Sequence, residues 1–103
     1  MTKAEKLFHQ IANELPDAKE GKMFGVFCIK TPNNKAIAIF WKNKMMFKLG
    51  SKAEQEALSL SGAKIGTHIY NPSRQMKGWV WIPFKHSDKW KKFAKAALAE
   101  LEK

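Results

Sequence analysis

The sequence predicts an α+β domain, a two-layer, five-stranded antiparallel sheet with helices on one face, in the order α-β-β-β-α-β-β-α. Three observations lead there. Apolar residues recur at helical spacing near both ends, as Ala4, Leu7, Phe8, Ile11, Ala12 and Leu15, and as Trp90, Phe93, Ala94, Ala97, Leu98 and Leu101. Between them lie short runs rich in β-branched and aromatic residues, among them KMFGVFCIK, KAIAIFW and KMMFKL. The segments joining these runs are too short for crossovers, so neighbouring strands run antiparallel.

Each element has its own warrant. Thr2-Lys3-Ala4-Glu5 fits a capping box, and Pro16 ends the pattern, which places the first helix at about residues 3–15. Asp17 to Lys22 reads as a polar connector. Lys22–Lys30, Lys35–Trp41 and Lys44–Leu49 read as a three-stranded meander, turned by Thr31-Pro32-Asn33-Asn34 and by Lys42-Asn43. Ser51-Lys52-Ala53-Glu54 opens a second helix over about residues 52–61, with Gly62 as its C-terminal cap. Lys64–Tyr70 is the fourth strand, Asn71-Pro72-Ser73-Arg74 a turn, and Gly78–Phe84 the fifth strand. Ser87 caps the last helix, with Asp88 in its first turn, where negative charge suits the helix dipole.

The 103 residues, 45% of them hydrophobic, predict one domain over 1–103 with a single core and no linker. No apolar run approaches the ~20 residues that span a bilayer, and the charged N-terminus lacks a signal-peptide h-region. A lone cysteine, Cys28, makes no internal disulfide. These features predict a cytoplasmic protein without membrane partners.

The net charge of +10 is unevenly spread. Residues 21–50 carry six lysines and no acid, and residues 64–99 carry eight cations against one acid. Such a field attracts polyanions. Only Arg74 is arginine, however, so bidentate reading of base edges is disfavoured and nonspecific phosphate contact remains. Arg74, Lys77, Lys85, Lys89, Lys92 and Lys95 form the candidate nucleic-acid ridge, its alternative being the solvated face of an amphipathic helix. Trp79 and Trp81 share one strand face. Packing at a seam is the first reading and base stacking the second.

Both faces of the predicted sheet are apolar, with Met23, Phe27 and Ile29 opposed to Phe24, Val26 and Cys28 on its first strand. Three helices cover one face. The other is therefore expected to meet a second copy or a protein partner, through Phe24, Val26, Phe40 and Met46.

Met23-Phe24-Gly25 opening the first strand, and Phe47-Lys48 closing the third, resemble the TfoX N-terminal domain. Met76, Pro83 and WKKFAKAAL (Trp90 to Leu98) are similar too, so the likeness covers roughly residues 21–101. Val26-Phe27 depart from it, since the family often has a second glycine there. The related YjbR/MmcQ-like proteins share the predicted element order. The resemblance implies competence regulation in two-domain members, a DNA-binding label among YjbR relatives, and no established catalytic site.

Enzyme chemistry finds no support in the residues. Cys28 sits between Phe27 and Ile29, where thiols are inert. His9, His68 and His86 fall on different elements, and no spacing resembles a metal motif. His86-Ser87-Asp88 holds triad residue types, but adjacent residues do not face one another. The expectation is a non-enzymatic regulatory or adaptor module that self-associates or docks a protein, without cofactor or metal. Its alternative is nonspecific DNA binding through the lysine ridge. A third reading is a small-molecule pocket near Met23 and Phe24.

Overall fold

Thr2 starts the first helix as its capping box predicts. Its side-chain oxygen accepts the Glu5 backbone N–H at 3.1 Å, and α1 runs Lys3–Glu14 in a computed structural model that describes residues 2–23, 25–33 and 35–101. Leu15 ends the helix in extended backbone, ahead of Pro16.

The sheet has six strands, not five, and the element order is α-β-β-β-β-α-β-β-α, with a 3₁₀ segment before the last helix. The extra strand is β1 (Lys19–Met23), which the sequence reading takes for a connector. It pairs with β2 (Val26–Lys30) from Lys19↔Lys30 to Met23↔Val26. Gly25 takes φ +80° in the turn between them, a conformation that costs glycine nothing. Met23 therefore ends β1 and Gly25 lies in the turn, rather than the two opening a strand; Phe24 lies outside the described residues. The polar run KEGKM at the sheet edge has too faint a hydrophobic period to announce itself.

β3 (Ala36–Trp41) and β4 (Lys44–Lys48) complete the meander. Their turn holds Lys42 at φ 48° and Asn43 at φ 63°, the positive pair that a twisted two-residue hairpin requires. Ile29 faces Ala38 whereas Lys30 faces Ala36, so Ile37 is a bulge residue. As a result Ile37 and Ala38 both join the helix-side core, breaking the alternation expected of this strand.

Helix α2 (Ser51–Leu58) is shorter than expected and is capped by Gly50, not by a Ser51 box. The Glu100 carboxylate fills the space beside Gly50. A Cβ there would stand 2.7 Å from Glu100 Cδ, at the helix end that favours an anion. β5 (Lys64–His68) and β6 (Asn71–Pro83) then form a hairpin whose turn is Ile69-Tyr70, because His68 pairs with Asn71. The turn expected at Asn71–Arg74 is thus strand, with irregular register beside it. Ser87 and Asp88 fall inside the 3₁₀ segment Phe84–Lys89, kinked at His86, so Ser87 does not cap α3 (Trp90–Leu101).

The strand order is β1-β2-β3-β4-β6-β5, antiparallel throughout. On one face the helices pack Phe8, Ile11, Trp90 and Phe93 against Ile29, Phe40, Met45, Phe47, Val80 and Ile82. The Trp90 indole N–H, fully buried, is satisfied by the Ile82 carbonyl at 3.2 Å. On the other face lie Val26, Cys28, Ile39, Met46, Trp79 and Trp81.

That second face is closed from within the chain. Beyond Ile65 the β5–β6 hairpin bends across it. Ile69 and Met76 pack on the cluster, Gly66 lies on Trp79 and Met46, and Trp81 donates its indole N–H to Thr67 Oγ1 at 3.0 Å. Gly78, at φ +88°, allows the matching bend in β6. Burial of such side chains stabilises by about 1.5–3 kcal/mol each, far above any surface ion pair. The docking face expected of Val26, Phe40 and Met46 is corrected accordingly. Val26 and Met46 are buried beneath the hairpin side, and Phe40 points into the helix-side core beside Phe8.

Candidate nucleic-acid interface

Strands β2 to β6 differ from the helices in electrostatics. Residues 26–50 and 64–83, which supply β2 to β6, hold seven lysines and Arg74 and not one Asp or Glu. The helix side carries acids that meet basic side chains: His9 contacts Glu20 at 2.7 Å, Lys91 contacts Glu14 at 3.2 Å, and Lys92 contacts Glu56 at 2.7 Å. The Lys92 ammonium, through its hydrogen bond, holds the Glu56 carboxyl below its ordinary range.

This asymmetry divides the ridge expected from the sequence. Arg74 and Lys77 are exposed on the hairpin of the second face, whereas Lys92 and Lys95 belong to α3 on the opposite side of the sheet. Lys85 and Lys89 sit in the 3₁₀ segment, where Lys85 donates to Ser61 Oγ at 2.7 Å. The six residues do not form one surface.

A different cluster does. Lys44 Nζ stands 4.6 Å from the centre of the Trp81 ring, and Lys42 Nζ stands 5.4 Å from that of Trp41. Lys64 faces Trp81 in the β5–β6 register. Partial burial, followed by the charges of Lys64 and Lys42, pushes the Lys44 ammonium pKa down from its ordinary value of 10.5. Three cations are thus held close on a framework of tryptophan, in strands that supply no carboxylate. Crowding of this kind is costly to the free protein and is relieved by an arriving anion.

Tyr70 completes the cluster. At the tip of the hairpin it is 62% exposed, and its ring meets Trp41 at 6.2 Å in a near-perpendicular arrangement. His68 lies 6.2 Å from the same ring, and its Nδ1 accepts the Tyr70 backbone N–H at 3.2 Å. None of Trp41, Lys42, Lys44, Lys64, His68 and Tyr70 stands out in the sequence as a site residue. The carboxylate-free stretches from Lys22 to Gly50 and from Lys64 to Ser87 are the signal that bears on them.

The tryptophans that do attract attention in the sequence, Trp79 and Trp81, are 9% and 6% exposed and serve as packing. Cys28 is wholly buried in the same cluster, and burial raises its thiol pKa against the opposing charge of Lys30. His86 Nε2 pairs with the Ser61 carbonyl at 2.8 Å, away from the other histidines. Among the described residues no group of three or more His, Cys, Asp or Glu is placed to hold a metal ion. Near the β1–β2 turn, a cleft of about 170 Å³ is lined by Gly25, Val26, Phe27, Phe40, Trp41 and Lys42. It is smaller than the ~300 Å³ at which small-molecule pockets begin. No described helix is long and apolar enough to cross a membrane.

No protein-family model, no curated protein and no solved structure matches the chain.

Proposed function

We propose that this chain acts by binding nucleic acid nonspecifically, without catalysis, through the hairpin-covered side of its sheet. The observation that carries the reading is the meeting of Lys42, Lys44 and Lys64 around Trp41 and Trp81, in strands without a single acid. Lysine offers point charges for phosphate rather than forks for base edges, so affinity without sequence preference follows. A cytoplasmic setting and kinship of the TfoX N-terminal type belong to the same proposal. The motif residues Phe47 and Lys48, placed at the end of the meander, support the kinship.

Docking of a second copy or another protein onto the second sheet face is less favoured. Val26 and Met46 are already covered within one chain, and a partner would first have to displace the hairpin.

Titration of a fluorescently labelled oligonucleotide by anisotropy tests the proposal. With three lysines on phosphates, log K should fall with log salt at a slope of about −2 to −3. Lys64→Glu should weaken binding more than Lys95→Glu. No binding at low salt, or binding indifferent to salt, overturns it.

A further inference from the structure

We infer that the site takes single-stranded nucleic acid in preference to duplex, with an unpaired base stacked on Tyr70 and the adjoining phosphates on Lys42, Lys44 and Lys64. This rests on the reading above and adds the state of the ligand.

Tyr70 is the more exposed of the two residues in the Ile69-Tyr70 turn, on a hairpin otherwise engaged in covering apolar surface. A turn position is ordinarily filled by glycine, asparagine or another small polar residue. Here an aromatic ring is presented to solvent and held in orientation. Trp41 meets it nearly at right angles at 6.2 Å, and its backbone N–H is tied to His68 Nδ1. The Tyr70 hydroxyl lies beside Gly25 of the neighbouring β1–β2 turn, 3.6 Å from where a Cβ would stand, an ordinary contact distance. An oriented, exposed ring at the rim of a cation cluster is a stacking platform. Duplex bases have their faces occupied by one another, so such a platform acts only on bases splayed from a helix or on single strands. Trp79 and Trp81 cannot serve in this way because the hairpin buries them.

The test compares three probes of equal charge: an oligothymidylate, an abasic oligomer of the same length, and a duplex with the same number of phosphates. The oligothymidylate should bind about tenfold more tightly than the abasic strand, the scale of one base–aromatic stack. Tyr70→Ala should remove that difference, Tyr70→Phe should keep it, and Tyr70→Leu, which retains apolar bulk for the turn, should remove it too. Equal binding of oligothymidylate and abasic strand, a preference for duplex, or a ratio unchanged by both Tyr70→Ala and Tyr70→Leu overturns the inference and leaves nucleic-acid binding standing. Failure of all three probes to bind overturns both.

Discussion

Gly66 lies so close on Trp79 that a Cβ built on it would overlap the tryptophan Cβ and stand 2.7 Å from Met46 Sδ. The hairpin carrying Tyr70 therefore reaches the second sheet face because position 66 has no side chain. Gly66→Ala should destabilise the fold by about 1–3 kcal/mol through overpacking. Urea unfolding measures this, and a midpoint equal to that of the unsubstituted chain would contradict the covering role of the hairpin.

The bond from Trp81 to Thr67 is the polar fastener of the same hairpin. Thr67→Val keeps the shape but removes the acceptor for a largely buried indole, at a cost of about 1–2 kcal/mol. Thr67→Ser should retain most of the stability. Equal stability of the valine and serine variants would show the bond to be idle.

Burial of Cys28 makes a prediction about pH. Its folded pKa is raised above the ordinary thiol value of 9.0, so the folded chain keeps its proton longer than the unfolded chain. The associated stability is complete below that value and is lost as pH rises through the folded pKa. Lys44 has the opposite sign. Its folded pKa is lowered, so its penalty is present at neutral pH and fades as pH climbs toward 10.5. Cys28→Ala should therefore flatten the alkaline loss of stability, and Lys44→Met should steepen it. Denaturation followed across alkaline pH checks both signs.

Lys42 sits at φ 48°, where asparagine is at ease and lysine is strained by about 1 kcal/mol. Lys42→Asn should leave stability equal or higher while lowering affinity for nucleic acid, the signature of a residue kept for its charge. A variant that is less stable yet binds as well would argue that Lys42 is structural.

Much of this architecture is legible in the sequence because the residues repeat at the periods of their elements. The Phe8/Ile11 and Trp90/Phe93 stripes read as helices, and AIAIFW reads as a strand. Three local features hide the rest. KEGKM is a polar edge strand with no face to declare. Asn71-Pro72-Ser73-Arg74 has turn chemistry, yet the true turn lies two residues earlier, at Ile69-Tyr70, fixed by long-range register. The bulge at Ile37 shifts side chains between faces in a way no alternation reveals. The site is less legible than the fold. Its lysines come from β4, β5 and the β3–β4 turn, and only the hairpin's passage over the sheet brings Tyr70 beside Trp41. A run without acids shows that charge gathers on the strands but not which cations converge.

Chemical-shift mapping of the ¹⁵N-labelled chain during titration with an oligothymidylate at low salt locates the nucleic-acid contact on the protein. Perturbations should concentrate at Trp41 to Lys44 and Lys64 to Tyr70 and be reversed by added salt. Perturbations centred instead on Lys89 to Lys95 of the helix side, or a spectrum that does not change, would contradict it.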